Sequence, residues 1–213
     1  MNEIMDWFQD QQIKRTLKSL ENNRIPSIYC RTKKEAAEKV LEMIPQGSSI
    51  GLGGSMTLKQ MGLLDTLGNW GGPIYNPFIK GLTADEGLQM RRRALVSDVF
   101  LTSTNAITEN GEIFNIDATG NRVGAMMFGP ARVILVAGIN KVVKNLQEAR
   151  LTVQDKTAPL NAKRLGIQTP CTYTGKCEDC ESPDRICNVY TVIRKKPRLT
   201  DFRVVLIGEE LGL

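Results

Sequence analysis

The chain has 213 residues, of which 41% are hydrophobic and 24% charged, so it can bury one full core and is not a disordered sequence. Its formal net charge is +5, and only 6% of its residues are aromatic. This mild basicity favours an anionic small-molecule ligand and argues against a nucleic-acid partner, which usually needs concentrated charge interleaved with aromatic residues.

The N-terminal segment carries acidic residues and lacks the apolar centre of a signal peptide. No stretch approaches 18 uninterrupted apolar residues, so we expect a cytoplasmic protein without a membrane span. The sequence also contains no histidine, which excludes Ser-His-Asp and Cys-His catalysis. Any general acid or base must therefore be a carboxylate, Lys, Tyr or Cys.

Hydrophobic periodicity predicts strands and helices that alternate along the chain. In order they are a helix at about 4–22, a strand at 25–30, a helix at 33–44, a strand at 48–52, a helix at 55–61, an apolar segment at 73–75, a helix at 83–94, one long strand at 96–108, its return strand at 112–116, a strand at 132–139, helices at 142–149 and 155–165, and two final strands within 189–208. Such alternation implies an α/β fold with a mainly parallel sheet and helices on both faces.

Within this pattern we predict a single domain over 1–213, with a core at about 25–165 and a Cys-rich loop at 170–188. Thr32 and Glu35 have the spacing of a capping box for the second helix. The segment Glu109-Asn110-Gly111-Glu112 predicts a tight hairpin turn, because Asn-Gly favours a two-residue connection.

The segment IGLGGSMT, residues 50–57, lies where a predicted strand passes into a helix. Glycines let the backbone approach a ligand closely, and amides and hydroxyls there can hold a phosphate or carboxylate. The predicted anion-binding residues are Gly51, Gly53, Gly54, Ser55 and Thr57. The segment is neither a Walker loop nor a dinucleotide fingerprint. The structural alternative is a tight turn in which Ser55 only caps the next helix.

Polar residues are dense between the strands of the segment 102–143. Turns gather at the carboxyl edge of a parallel sheet, where α/β proteins keep their ligands. The candidates to bind a ligand there are Asn105, Asn121 and Arg122, and the candidate catalytic carboxylates are Glu109 and Asp117. For Asp117, the alternative is a cap or turn ligand for the helix near Asn121.

Three segments, GLGGSMT, TSTNAITENGEIFNIDATGNRV and GPARVILVAGINKVV, resemble the LUD domain, the lactate-utilisation family typified by small LutC-type proteins. The resemblance covers about residues 10–150. It implies the fold of the NagB/RpiA/CoA-transferase superfamily, a Rossmann-like sheet with a ligand loop after an early strand. It also implies an anionic ligand at the glycine turn and a redox or accessory role in organic-acid metabolism beside iron–sulfur or redox proteins. The resemblance leaves open whether the protein forms a homo-oligomer.

The same superfamily offers an enzymatic alternative. Class I CoA-transferases carry a nucleophilic glutamate in a Ser-Glu-Asn-Gly motif, to which Thr108-Glu109-Asn110-Gly111 is similar. A carboxylate can attack a thioester carbonyl to give an acyl anhydride, which needs no histidine. The match is only three residues long and is also an ordinary hairpin tip. An enzyme of CoA-transferase or sugar-phosphate-isomerase type, using Glu109 or Asp117, is therefore the second hypothesis.

Four cysteines, Cys171, Cys177, Cys180 and Cys187, have the spacing C-x5-C-x2-C-x6-C within 17 residues. In a cytoplasmic protein this density favours a metal site over disulfides. Cys30 lies far upstream at a strand end, and we predict that it is a buried structural thiol.

Without histidine, zinc would need all four thiolates, and structural zinc sites made of four cysteines usually have two CxxC pairs, whereas this segment has one. A [4Fe–4S] cluster can take four thiolates from one segment, and the family context also favours it. We therefore predict a [4Fe–4S] cluster, with zinc as the alternative. Lys176, Arg185 and Arg194 would offset the charge of a cluster. A third hypothesis is a module that binds an anionic metabolite and holds a structural zinc.

Overall fold

The computed structural model describes residues 2–213. The α-helices are α1 (Asn2–Asn22), α2 (Lys33–Glu42), α3 (Met56–Gln60), α4 (Leu63–Leu67), α5 (Ala84–Ala94), α6 (Asn121–Met127), α7 (Leu146–Thr152), α8 (Ala158–Leu165) and α9 (Cys171–Thr174). The strands are β1 (Ser27–Cys30), β2 (Ile50–Leu52), β3 (Ile74–Tyr75), β4 (Val99–Thr102), β5 (Ala106–Thr108), β6 (Ile113–Asp117), β7 (Arg132–Gly138), β8 (Val142–Val143), β9 (Val189–Ile193) and β10 (Asp201–Ile207). Among the helices of residues 2–213, no apolar segment reaches the length needed to span a bilayer.

Six strands form a parallel sheet in the order β1-β10-β7-β4-β2-β3. Successive residues of β7 point to opposite faces, so Val133 and Leu135 join one hydrophobic cluster and Ile134 and Val136 join the other. The first cluster includes side chains of α1, α5 and α6, and the second includes side chains of α2, α3 and α4. The predicted parallel sheet with helices on both faces is confirmed.

A second sheet has the order β8-β5-β6-β9 and is antiparallel except for the β5–β8 pair. Its apolar face, with Phe114 and Ile116, packs against Ala149 of α7, Ala158 of α8 and Val153 between them. A π-helical turn over Val153–Thr157 joins α7 to α8. This smaller layer carries the cysteine segment, because Cys187 packs against the same cluster.

The single long strand predicted at 96–108 is wrong, because the segment forms two strands in different sheets. β4 ends at Thr102 in the parallel sheet, and β5 begins at Ala106 in the second sheet. Between them, the Thr104 hydroxyl Oγ1 lies 3.1 Å from the carbonyl oxygens of both Ala106 and Phe114, and its single hydrogen can be donated to either or shared between them. A hydroxyl bonded to the backbone in this way stabilises a departure from the strand ladder.

Two further boundaries differ from prediction. The helix predicted from residue 142 begins at Leu146, because the Asn145 side chain caps it by accepting from the Glu148 amide at 3.0 Å. Val142–Val143 instead form β8 beside β5. The hairpin turn has three residues rather than two, since the Thr108 amide donates to the Glu112 carbonyl at 2.9 Å while Gly111 takes a φ of 75°.

Candidate functional site

The loops after four neighbouring strands of the parallel sheet meet at its carboxyl edge. Each contributes one residue to what we call the edge crevice: Gly53 after β2, Ser103 after β4, Lys141 after β7 and Gly212 after β10. The chain leaves β2 toward the outer strand β3, whereas β4 leads in the opposite direction to β7 and β10. The crevice beyond β2 and β4 is therefore a topological switch point, the usual place for a ligand in an open α/β sheet.

The predicted glycine turn contributes unequally to the crevice. A Cβ on Gly53 would lie 2.7 Å from Thr102 Oγ1 and 3.2 Å from Arg122 Cγ, so a glycine is needed where β2 meets the polar cluster. Gly51 instead packs against α5, where a Cβ would lie 2.9 Å from Ala94 Cα. A Cβ on Gly54 would lie 2.6 Å from the Phe78 ring. Packing against the α5 backbone thus accounts for Gly51, whereas the Phe78 ring beside Gly54 is exposed and is free to shift.

Ser55 and Thr57 have different partners. Ser55 Oγ accepts a hydrogen bond from the Leu58 amide at 3.2 Å and so caps α3. This is the capping role that was considered as the alternative to anion binding. Thr57 is fully buried, and its Oγ1 lies 3.3 Å from Ser103 Oγ. Of the two predicted hydroxyls, Thr57 is the one that faces the crevice residues.

Arg122 is locked by the protein itself. Its side chain is 15% exposed, and both terminal nitrogens donate two hydrogen bonds each. The acceptors, at 2.7 to 3.1 Å, are the carbonyl oxygens of Ser103 and Ile116 and the side-chain oxygens of Asn105 and Asn115. The predicted residues Arg122 and Asn105 therefore lie together, but the guanidinium has no terminal N–H left for a ligand. It acts as a fixed positive charge.

Asp117 is the carboxylate next to this guanidinium, with its Oδ2 3.6 Å from Arg122 Nε. Its Oδ1 accepts from the amides of Thr119 at 3.0 Å and Gly120 at 2.9 Å, so it stabilises the turn into α6. Asn121 is the half-buried first residue of that helix. The contacts of Asp117 are those of the turn ligand considered as the alternative to a catalytic role.

Lys141 is the functional candidate that sequence reasoning missed. It is 7% exposed, and its Nζ donates to the Thr104 carbonyl at 2.9 Å. Burial and, secondarily, the charge of Arg122 lower the pKa of Lys141 to about 8. Within residues 2–213, one ion pair is found for Arg122 and none for Lys141. The signal was its position directly after the most apolar strand, at the same edge as Ser103.

The charges of the crevice do not balance. Asp117 pairs with the largely buried Arg122, whereas the charged group found near the buried Lys141 is Arg122, another cation. Asn115 is fully buried, and its Nδ2 also lacks a hydrogen-bond partner in the part of the chain described. Burying an unpaired charge is costly unless another group compensates for it. The crevice is therefore suited to a bound anion.

Glu109 lies at the hairpin tip against α1. Its carboxylate pairs with Arg15 Nε at 2.7 Å and accepts from Gln12 Nε2 at 3.3 Å. Hydrogen bonding from Arg15 holds the pKa of Glu109 below its usual range. A Cβ on Gly111 would lie 2.8 Å from the Leu20 amide nitrogen, so the tip packs closely on the helix. These contacts attach the hairpin to α1 and do not bring Glu109 to the crevice residues.

The four C-terminal cysteines line one cavity, which we call the cysteine cavity. Its other side is formed by Ala158, Pro159 and Ala162 of α8, and all four cysteines are half-buried free thiols. Within residues 2–213, no three Cys, Asp or Glu side chains are arranged to hold a metal ion. The fifth thiol, Cys30, is buried in β1 as predicted, and burial raises its pKa to about 11.

Arg185 is the cation that holds the cysteine segment together. Its guanidinium donates to the Cys180 carbonyl at 2.6 Å and to Cys187 Sγ at 3.4 Å, and it pairs with Asp179 at 2.8 Å. Arg194, also predicted near the sulfurs, instead pairs with Glu112 at 3.4 Å. Of the two arginines, Arg185 is therefore the one in contact with a cysteine sulfur.

Comparison with known proteins places this arrangement in a family. No curated protein sequence matches the chain. Among solved structures, it is similar to a DUF162 family protein from Deinococcus radiodurans, with a TM-score of 0.53 and 14% identity over 94% of this chain and 98% of that chain. At that identity the likeness establishes the fold. The model of the LUD domain matches residues 13–207, which include both sheets, the edge crevice up to Lys141 and the cysteine cavity. The chain therefore belongs to the LUD domain family.

Proposed function

We propose that this LUD-family protein acts in organic-acid metabolism of the lactate type, in a redox or accessory role. It binds an anionic small molecule at the edge crevice and carries a metal or iron–sulfur centre on the four C-terminal cysteines. Family membership supports the metabolic role. The observation that carries the proposal is that Cys171, Cys177, Cys180 and Cys187 all line one cavity.

The donor set fits a thiolate-bound centre. Four thiols and no histidine suit zinc or an iron–sulfur cluster, since both are stable with cysteine ligands alone. The apolar wall formed by Ala158, Pro159 and Ala162 limits water at the sulfurs, and Arg185 supplies a compensating charge. The side chains would have to move together, because no three converge as they stand in residues 2–213. When bound, an iron–sulfur cluster supplies one-electron transfer, whereas zinc supplies structural order.

The test is metal and acid-labile sulfide analysis, with a visible spectrum, on protein purified without oxygen. We expect iron and sulfide at about four each per chain and absorption at about 400 nm. Cys177→Ala should lose the centre, whereas the matched control Cys30→Ala should retain it, since Cys30 is buried in β1. Zinc without sulfide would favour the metabolite-binding module with a structural zinc. Protein that binds neither metal would contradict the proposed centre.

The enzymatic alternative has less support from the observed contacts. A CoA-transferase-like or isomerase-like enzyme needs Glu109 or Asp117 available to a substrate. Glu109 is paired with Arg15, and Asp117 accepts from backbone amides.

A cytoplasmic location belongs to the main proposal, because a thiolate-bound centre needs reduced cysteines. Iron–sulfur or redox proteins are its proposed partners.

A further inference from the structure

We propose that two copies of this chain associate through α1, with the first turns of each helix docked in a groove beside the second half of the other. The contact is reciprocal, so the two helices run antiparallel across a twofold axis. Neither surface includes a residue of the edge crevice or of the cysteine cavity. The inference therefore goes beyond the proposed function.

The first turns of α1 extend past the protein core. The first residue of this helix in the hydrophobic core is Ile13, whereas residues 3–8 are all exposed. Four of those six residues are large and apolar, and each is at least 50% exposed: Ile4, Met5, Trp7 and Phe8. We call residues 3–10 the overhang. Exposed apolar surface concentrated in this way marks an interaction site.

An open groove lies beside the second half of α1, where the chain continues into β1. It is lined by Lys14, Leu17, Lys18 and Glu21 of the helix and by residues 24–27 after it. Leu17 is half-buried and Pro26 is exposed, so the groove has apolar surface available to a partner. β1 is an edge strand of the parallel sheet, and proteins commonly cover such an edge with a helix.

The overhang and the groove carry opposite charge. The overhang has three acidic residues and no basic one: Glu3, Asp6 and Asp10. The groove has three basic residues and one acidic one: Lys14, Lys18, Arg24 and Glu21. Glu21 pairs with Lys18 at 2.8 Å. Within residues 2–213, no ion pair is found for the other two basic residues or for the three acids of the overhang. The charges left over on the two surfaces therefore neutralise each other between copies.

The same charges decide between a second copy and a lipid surface. An exposed apolar helix end can also enter a membrane interface, but helices that do so are rich in Lys and Arg. Anionic lipids would repel the three acids of the overhang. A second copy instead offers both apolar surface and basic residues in one groove.

Helical spacing sets the register of the pair. One face of α1 carries, at separations of three and four residues, Trp7, Asp10, Lys14 and Leu17. In an antiparallel pair centred on residue 12, Asp10 of one copy lies opposite Lys14 of the other. The same register places Trp7 opposite Leu17, an apolar residue of the groove. Each contact occurs twice because of the symmetry, so one substitution alters the interface at two points.

The first test is sedimentation velocity of the full chain over a range of concentrations. We expect a reversible dimer. Trp7→Ser should raise its dissociation constant about 30-fold or more, the effect of removing a central aromatic side chain from an interface. The control Ile79→Ser replaces a similarly exposed apolar residue beyond β3, at the opposite edge of the parallel sheet from β1, and should leave dimerisation unchanged.

The second test exchanges charges between copies. Asp10→Lys and Lys14→Glu should each weaken self-association about 10-fold or more, because each variant places like charges opposite one another. An equimolar mixture of the two should dimerise about as tightly as the wild type, since each acidic residue then faces a lysine across the axis. A fluorescent label on one variant detects the mixed dimer. Both residues are exposed, so the folded chain tolerates the changes.

Three results would overturn the inference: a wild type that stays monomeric, a dimer that Trp7→Ser leaves unchanged, or a mixture that associates no better than its components. A monomer that binds phosphatidylcholine vesicles through Trp7 would overturn it as well, and would identify the overhang as a membrane contact.

Discussion

The edge crevice and the cysteine cavity are built in opposite ways. Thr57, Ser103 and Lys141 are buried and follow the ends of strands in a parallel sheet, so folding alone positions them. The cysteines are half-buried, and the chain around them is largely irregular, with Asp179 in a left-handed conformation at φ 45°. One region holds buried polar and charged groups in a fixed place, whereas the other holds four half-buried thiols in a loop. The anion proposed for the first region would meet groups already in place, whereas the centre proposed for the second would have to order its loop.

The largest loss of stability should come from replacing Arg122, whose hydrogen bonds connect the loops of the crevice. Arg122→Met would leave four buried acceptors and the Asp117 carboxylate without their cation. We expect a loss of about 3–5 kcal/mol in the free energy of unfolding, measured by urea denaturation. The control Arg164→Met, at an exposed arginine whose side chain contacts Asn161, should change it by about 0.5 kcal/mol or less. A small effect at Arg122 would mean that the crevice is not rigidly built.

Replacing Lys141 should not destabilise the protein, in contrast to replacing Arg122. Because its pKa falls from 10.5 to about 8 on folding, the folded state releases the proton first, and stability should rise between pH 8 and 10.5. The full difference corresponds to about 3 kcal/mol. Lys141→Met should abolish this rise and be at least as stable as the wild type at pH 7, measured by urea denaturation at each pH. A loss above about 2 kcal/mol at pH 7 would show a structural role instead.

At the cysteine cavity, Arg185 should matter for metal rather than for folding. Arg185→Gln removes the cation at Cys187 Sγ and the contact with the Cys180 carbonyl. We expect affinity for Zn²⁺ to fall about 10- to 100-fold in a chelator competition, with little change in thermal unfolding of the metal-free protein. Arg194→Gln, which breaks the pair with Glu112, is the control and should keep full affinity. Equal losses in both variants would argue against a specific role for Arg185.

The smallest effect should come from Glu109, which belongs to neither region. Glu109→Gln should lower Tm by about 2 °C or less at pH 7, as expected for a partly exposed ion pair. Its folded pKa is lowered, so the contribution is present at neutral pH and lost as pH falls through that pKa. Arg15→Gln should give the same shift, and the double variant should add nothing. Loss of an acyl-transfer activity in folded Glu109→Gln would instead support the CoA-transferase alternative.

The sequence predicted the helices and strands better than it predicted the contacts between their side chains. Periodicity predicted the parallel sheet, and polar residues after strands predicted where the crevice lies. The division of residues 96–108 between two sheets was missed, because Thr102 and Thr104 at the break belong to a residue type that is also common within strands. The saturation of Arg122 was hidden too, since its acceptors come from residues that only the fold brings together. The burial of Lys141 depends on Gly212, which follows a strand formed much later in the chain.

The position of β10 has a consequence for synthesis. This strand lies between the edge strand β1 and β7 in the parallel sheet, although it is the last of the ten along the described chain. During translation, β1 and the group β7-β4-β2-β3 stay unjoined until residues 201–207 leave the ribosome. The cysteines emerge before that moment, so their thiols meet the cell's metal donors and oxidants while the crevice is still open. The metal proposed for the cysteines would therefore meet its ligands on a nascent chain in which the proposed anion site is not yet assembled.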